Sequence, residues 1–515
     1  MHHFNFYIKL SRDMKKIFYC VLIASSVLAV SGCKKDYLQT NPTDRVDNTA
    51  IFSTTANASV ALNGIYRYMF ERTTATSSNV QGKPGVAGIL LGIDHMGEDL
   101  HQANATWFTS TGEGNYLAAR TDNAGSNLYY YRTFFRMIGN ANYIIANIDA
   151  AEGTQAEKNR IKAEALTLRA YSYSYLVQFY GTRYDAAAKP NNQLAVPMPL
   201  TPADSRMPRV SVETVYTQIV KDLDEAIALN VTTVPNKTHI NAWVSKGLRA
   251  RVALTMQDYP NAIKYAKEVV DGNAYPLMSQ ADYQTGFNNI ALSEYMWGAN
   301  PTTEQGDTFG SFYAQIAYNA NTTYQRGTPK RINSALYNLI GANDVRKKMW
   351  EPAPTAANFP LPTTAFVRTP YMSRKFSVKA VGDPSLGDVP WMRSAEMHLI
   401  LAEAYARSGG QDAAARTALF ALVSKRDLTA VLSTNSGQAL IDEIMVNRRV
   451  ELWGEGFRYL DLKRLHLPLN RNAVPNYVST SVNDVMFIPA GDNRFLFLIP
   501  RDEMNNNPNI GPQNP

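Results

Sequence analysis

Glu451 and Glu455 stand one helical turn apart in Arg448-Arg449-Val450-Glu451-Leu452-Trp453-Gly454-Glu455-Gly456-Phe457-Arg458. Two carboxylates on one face are what a glycoside hydrolase places on either side of the bond it cleaves. One of them must hold a proton near neutral pH, which requires a raised pKa. Arg448, Arg449, Arg458 and Lys463 surround the pair at salt-bridge spacing, and nearby cations keep carboxylates ionised. The segment therefore reads as structural, and no catalytic residue is assigned; a glycoside hydrolase using this pair is the alternative. His95 and His101, with Asp94, Glu98 and Asp99, gather metal-ligand side chains. A spacing of six does not put both histidines on one helical face, and Gly92 and Gly97 point to a polar loop. No metal and no cofactor is assigned. His239, His398 and His466 stand alone, and the chain has no P-loop, dinucleotide fingerprint or nucleophile elbow.

Aromatic residues beside amides suggest a different chemistry. Trp107 follows Asn104 in a polar stretch, and Tyr318 and Tyr324 flank Asn319, Asn321 and Gln325. A sugar ring stacks its apolar face on aromatics and offers hydroxyls to amides. On exposed loops, Asn104, Trp107, Tyr318 and Tyr324 are the candidate ligand contacts. The competing expectation is that these rings pack under their own loops.

The 515 residues suffice for one large helical domain or two to three ordinary ones. At 45% hydrophobic and 18% charged, the chain can bury a core and is not disordered. Its 29 tyrosines against 20 phenylalanines suit helix–helix contacts and flat, partly wet binding surfaces. The net charge of +7 falls to +4 without residues 1–32. No basic run is interleaved with aromatics, so a nucleic-acid partner is not expected.

Met14-Lys15-Lys16 opens a basic segment, and Ile17 to Val30 is mostly apolar yet too short to cross a bilayer. Val30-Ser31-Gly32-Cys33 follows and looks like a lipobox, with Val30 in place of the more usual Leu. This predicts a signal peptide over 1–32, its start at either Met1 or Met14, and lipidation at Cys33. Several acyl chains on one residue anchor stably where one is marginal. Cys20 lies inside the signal, so no thiol remains for a disulfide, a zinc site or a nucleophile. Residues 33–48 read as a polar tether.

From Thr49 the pattern is helical: Ala58–Phe70, Asn127–Ile148 and Ala156–Tyr180, the last ended by Gly181 as a C-cap. Two segments read as helical hairpins with small residues at matching offsets. Ala250, Ala253, Ala262 and Ala266 flank a turn at Tyr259-Pro260; Ala402, Tyr405, Ala414 and Ala418 flank Ser408-Gly409-Gly410. The spacing resembles tetratricopeptide (TPR) hairpins, where small side chains let helices approach closely. A third copy is split by a proline-rich insertion, with Ser211 as N-cap of Val212–Leu229. Residues 279–390 and 466–498 are rich in Asn, Thr, Gly and Pro, which predicts irregular structure with short strands. The fold expected is mostly α: a TPR-like hairpin scaffold over 49–278, with long loop-rich insertions in a C-terminal region, 279–515. Loops on such a scaffold usually carry the binding surface.

Arg449, Glu451, Leu452, Glu455, Gly456, Arg458, Asp461, Leu462 and Arg464 resemble the signature of the SusD/RagB family of Bacteroidetes outer-membrane nutrient-uptake lipoproteins. Ile499-Pro500, Glu503, Asn507-Pro508-Asn509 and Gln513-Asn514-Pro515 match the family's tail. Tyr37-Leu38, Asn41-Pro42, Phe179-Tyr180-Gly181 and Arg209-Val210-Ser211-Val212-Glu213 are family-like too. The resemblance implies a binding subunit on the cell surface and not an enzyme. It implies a SusC-like TonB-dependent transporter as partner, a lipid anchor in the outer membrane, and a glycan, or in some members a peptide, as cargo. The charged segment itself is expected to be an internally neutralised clamp that locks the helical scaffold to the C-terminal tail.

Overall fold

A computed structural model describes residues 52–73, 82–103, 111–380 and 385–515. The leader, Cys33 and the tether lie outside them. Helix α1 (Thr55–Tyr68) starts at Thr54, whose hydroxyl accepts from the Asn57 N–H at 3.2 Å. Helix α2 (Gly85–His95) follows, then α3 (Gly125–Asn147) and α4 (Gln155–Tyr180). A capping box between Thr154 and Glu157 opens α4. Buried side chains lie all round α4, because α1, α3 and α5 (Val212–Ala228) pack against it. Gly181 does end α4, but with an extended backbone. A Cβ there would stand 2.7 Å from the Val177 carbonyl oxygen, so closeness, not left-handed φ, requires the glycine.

Helices α6 (Ala242–Thr255) and α7 (Tyr259–Gly272) form the first predicted hairpin, α8 (Ser394–Arg407) and α9 (Asp412–Arg426) the second. Ala250, Ala253, Ala262 and Ala266 are buried between their helices. Asp258 caps α7, with Pro260 in its first turn, so Tyr259-Pro260 starts the helix instead of forming the turn. Gly409 and Gly410 turn the second hairpin at φ 73° and 69°, a region that favours glycine. Ala415, one residue beyond the expected Ala414, is the buried position beside Ala418. The α4–α5, α6–α7 and α8–α9 pairs stack in sequence, with α5 on α6 and α7 on α8. Helix α10 (Gly437–Glu451) packs on α8, and the short α11 (Arg458–Arg464) on α2; α12 (Arg501–Asn506) lies near the C-terminus.

Strands are short. β1 (Leu100–Gln102) pairs with β5, and β2 (Leu194–Pro197) with β3 (Arg209–Ser211), which closes the proline-rich insertion. β4 (Tyr295–Ala299), β5 (Lys330–Ile332), β6 (Trp350–Glu351), β7 (Met372–Ser373) and β8 (Val389–Arg393) fall in the region expected to be irregular. The order β1-β5-β7-β6 makes one antiparallel sheet, and β4-β8 another with shifted register. β9 (Leu469–Asn470) and β10 (Phe487–Ile488) pair late in the chain. Residues 52–515 form one compact unit, and no described helix is long and apolar enough to cross a membrane.

The expected polar loop around His95 is instead α2 running into β1. Every α2 residue is buried, so no polar face marks its period. Its glycines make room: a Cβ at Gly88 or Gly92 would lie 2.8 or 2.1 Å from the hydroxyls of Tyr129 or Tyr130 on α3.

Candidate functional site

Glu451 is the last residue of α10, and the chain then turns through Gly454 and Gly456 at φ 80° and 87°. Glu455 therefore sits in the turn and does not share a helical face with Glu451. Glu451 is fully buried and the Glu455 side chain is 6% exposed, but they meet around cations from elsewhere. Arg393, at the end of β8, donates to Glu451 Oε1 at 3.0 Å and to Glu294 Oε2 at 2.7 Å. Arg426 on α9 donates to both Glu451 oxygens at 3.1 Å, and Arg346 lies 3.5 Å away. Lys375 Nζ donates to Glu455 Oε1 at 2.7 Å and to the Glu451 and Trp453 carbonyls, both at 2.8 Å. Burial pushes the Glu451 carboxyl up, but Arg426, Arg393 and Arg346 together pull it well below the usual range. Arg393 and Lys375 do the same to Glu455 against its burial. Neither carboxyl holds a proton at neutral pH.

The neighbouring cations expected to neutralise this pair have other partners. Arg448 bonds Asp461 at 2.8 Å, and Arg449 forks onto Asp99 at 2.8 and 2.5 Å. Arg458 bonds Glu98 at 3.0 Å. Lys463 donates to the carbonyls of Gln178 and Gly181, and Arg464 forks onto Glu403 at 2.8 Å and bonds Asp461 at 2.7 Å. So the segment is neutralised from within only through Asp461, which takes Arg448 and Arg464, and its other charges pair with residues elsewhere. It fastens the α2–β1 connection, β8 and the α8–α9 hairpin to one another. The tail is held elsewhere: Arg209 donates to the Pro512 carbonyl at 2.8 Å, and Asn514 to those of Tyr180 and Phe497. Asn507 donates to Glu503 at 2.8 Å and to the Met207 carbonyl at 2.9 Å, while Pro508 is exposed.

The histidine cluster is core. His101 stacks on Tyr477 with ring centroids 4.7 Å apart, and burial with Arg331 lowers its pKa to about 3. Burial raises Asp94 to about 7, although the N–H groups of Gly456 and Arg458 donate to it. No group of three or more ligand-type side chains that could hold a metal occurs among the described residues.

Asn104 and Trp107 lie outside the described residues. Tyr318 is half-buried, edge-on to Phe359 at 5.4 Å. Tyr324 is not on an exposed loop: it is 1% exposed in the helical turn Thr323–Arg326, and burial pushes its hydroxyl up to about 12. Asn319 accepts from the Val378 N–H at 2.8 Å, and Gln325 donates to the Gln315 carbonyl. Amide-rich composition here satisfies the chain's own backbone, a use that looks the same in sequence as a ligand site.

Tyr324 nevertheless lies near something that sequence reasoning missed. Arg72 and Asp307, 235 residues apart, form an ion pair at 2.7 Å, and both act electrostatically on the Tyr324 hydroxyl. They line a groove of about 200 Å³ with Phe70, Gln305, Phe312 and Tyr313. Asp307 also accepts from the N–H groups of Phe309 and Gly310 at 3.0 and 2.8 Å, which fixes its carboxylate. A second groove of about 230 Å³ shares Phe70 and Gln305 and adds Tyr66, Asn300 and Trp391. Rings, amides, a guanidinium and a carboxylate along adjoining grooves suit a ligand with apolar faces and many hydroxyls. The sole sequence signal was Asp307 between Gly306 and Gly310, a turn pattern too common to single out.

Comparison with known proteins adds a family. A family model described as "Starch-binding associating with outer membrane" matches residues 47–254, and one described as "SusD family" matches 255–515. The chain is 24% identical to SusD-like protein P2 of Formosa agariphila, over 98% of this chain and all of that one. A SusD-like carbohydrate binding protein from Bacteroides vulgatus superposes with a TM-score of 0.75 at 27% identity, covering 89% of this chain and 97% of its own. A SusD superfamily protein from Bacteroides thetaiotaomicron gives 0.74 at 26%, covering 90% and 100%. With more than half the chain matched by one family model and residues 47–254 by a related one, this protein belongs to the SusD/RagB family.

Proposed function

We propose that this protein is a lipid-anchored, surface-exposed glycan-binding subunit of an outer-membrane uptake system. In this reading residues 1–32 are removed, Cys33 carries the lipid and residues 33–48 are the tether to the outer membrane. The bound oligo- or polysaccharide passes to a SusC-like TonB-dependent transporter. The observation that carries the reading is the fixed Arg72–Asp307 pair between aromatic walls. Family membership and the 27% identical carbohydrate binding protein from Bacteroides vulgatus support it. Asn104, Trp107 and Tyr318 remain proposed contacts; Tyr324 acts from beneath, as a support for Arg72 and Asp307. Binding without hydrolysis fits the sealing of Glu451 and Glu455 among arginines.

Affinity gel electrophoresis of the soluble chain across starch, β-glucans and other neutral polysaccharides tests this. Retardation by at least one polysaccharide is expected, lost in a paired Arg72→Ala/Asp307→Ala variant and weakened in Trp107→Ala. A protein that migrates freely through every polysaccharide but binds a peptide mixture would replace the glycan with a peptide cargo. Co-purification of a TonB-dependent barrel with the lipidated protein tests the partner, and its absence from repeated pull-downs would overturn it.

A further inference from the structure

His239 stands alone in the sequence, in the loop that leads into α6. That loop is pinned to β4. The Lys237 carbonyl accepts from the Gly298 N–H at 3.0 Å, and the Thr238 carbonyl from the Trp297 indole at 3.2 Å. The imidazole lies edge-on to Tyr66 of α1, with ring centroids 5.2 Å apart. Its Nδ1 stands 2.8 Å from Glu164 Oε2 on α4, and the Glu164 side chain is wholly buried. A fixed loop, a fixed ring and a buried carboxylate together hold the imidazole in one orientation.

The surroundings of Glu164 decide which ring nitrogen carries the proton. Arg160 donates to Oε1 at 2.8 Å. The Tyr66 hydroxyl accepts from the Ile240 N–H at 3.2 Å, so its own proton goes to Glu164 Oε2. Burial and then the Glu164 charge push that hydroxyl well up, so it keeps its proton. The other partners of the carboxylate are thus all donors, and Nδ1 must donate as well. In a neutral imidazole the second nitrogen then holds a lone pair. Nε2 has no partner among the described residues, yet it is not one of the sealed polar atoms without a partner, so it reaches solvent. The side chain is 11% exposed, and His239 lines the groove of about 230 Å³ beside Trp391. Asn63, Asn300 and Gln305 on the same walls offer both a donor and an acceptor. No carboxylate lines this groove, so the imidazole edge is its one side-chain group that can only accept.

We propose that His239 is a specificity-determining residue of this groove: Glu164, Tyr66 and Arg160 fix its tautomer so that Nε2 accepts a hydrogen bond from a ligand hydroxyl. The inference rests on the glycan reading for its ligand and adds a polarity that the amides and rings do not set. Nitrogen NMR of isotope-labelled histidines in the soluble chain tests it, at about pH 8, above the range in which imidazoles change charge. Affinity gels with soluble starch and with laminarin accompany it. In the free chain His239 is expected to show a protonated Nδ1 and a bare Nε2. The polysaccharide that binds should shift the Nε2 resonance, a signal that a purely structural histidine does not give. His239→Asn keeps a donor toward Glu164 and deletes the Nε2 acceptor. It should melt close to the parent and bind about fivefold to tenfold more weakly, the worth of one hydrogen bond. A protonated Nε2 in the free chain would overturn the proposal, as would an unmoved Nε2 resonance or parent-like affinity in a folded His239→Asn variant. In each of these cases glycan binding itself stands. If the variant unfolds, the two resonance measurements on the parent decide alone. Failure of the parent to bind either polysaccharide also overturns the proposal, whereas the glycan reading falls only when the wider range of polysaccharides fails too.

Discussion

The Arg393 guanidinium grips the Glu455 carboxylate at two points, Nε to Oε2 at 2.9 Å and Nη2 to Oε1 at 2.7 Å. The same group donates to Glu294, to Glu451 and to the Glu451 carbonyl. Every N–H of one buried arginine is thus used, and three carboxylates depend on it. Arg393→Ala leaves buried charge unpaired and should cost about 3–5 kcal/mol. Arg393→Lys should fail to rescue it, because an ammonium cannot fork between planar acceptors. Urea unfolding of the soluble chain measures both; a loss under about 1 kcal/mol for the alanine variant would mean the network is slack.

Gly456 meets α2 so closely that a Cβ would stand 2.8 Å from Leu90 Cβ and 3.0 Å from its Cα, at φ 87°. Gly456→Ala faces both a collision and an unfavourable backbone, together about 2–4 kcal/mol. Adding Leu90→Ala removes only the contact with Cδ2, 2.9 Å away, and leaves those with Cβ and Cα in place. The expected outcome is partial recovery relative to the two single changes, read by a double-mutant cycle of melting curves. Simple additivity would show that the Leu90 side chain beyond Cβ takes no part in the collision.

The parts of this fold that are legible in the sequence are those with local causes. Ala250, Ala253, Ala262 and Ala266 mark a helix pair because small residues at fixed spacing serve contacts between neighbours in the chain. Helix α2 is hidden for the opposite reason: buried on all sides, it has no polar stripe to reveal its period. The carboxylates Glu451 and Glu455 were rightly read as neutralised, but by the wrong cations. Glu294, Arg346, Lys375, Arg393 and Arg426 come from remote strands, turns and hairpins, and nothing in their local spacing announces a shared centre. The Arg72–Asp307 pair is unreadable on the same ground. Tyr324 misled because a tyrosine among amides has one composition whether it faces solvent or supports a groove from within.

Asp94 on α2 and Asp461 on α11 give opposite pH signatures. Paired with Arg448 and Arg464 against its burial, Asp461 has its pKa lowered from 3.8 to about 2. The stability it contributes is complete above about 4 and is lost as pH falls toward 2, about 2 kcal/mol in all. Asp94, raised by burial from 3.8 to about 7, holds a proton in the folded state that the unfolded chain has released. Its effect is to lower stability as pH climbs from about 4 to 7, and then to level off. His101, lowered from 6.5 to about 3, tilts the parent the other way over much of that window. The comparison therefore needs Asp94→Asn. Relative to the parent, this variant should gain about 2–4 kcal/mol between pH 4 and pH 8. Denaturant midpoints at the two pH values decide it, and an equal offset at both would show that Asp94 does not titrate there.

The last four residues are expected to matter more than their position suggests. Arg209 is buried on β3, and burial lowers its pKa only to about 10, so it stays charged at neutral pH. Its partners are the carbonyls of Ala195, Leu194 and Pro512 and the Asn514 side chain. Asn514 in turn donates to the carbonyls of Tyr180 and Phe497 at 3.0 and 2.7 Å, and Gln513 bonds both backbone groups of Ile499. Deleting residues 512–515 strips a buried cation of two acceptors and leaves four backbone groups without these side-chain partners. A loss of about 3–5 kcal/mol follows, with Asn514→Ala alone costing about 1–3. Deleting only Pro515 is the control, since its carbonyl meets the exposed end of Arg120 and should shift the midpoint little. Equal midpoints for the four-residue and one-residue truncations would show that the tail rests on the scaffold without bracing it.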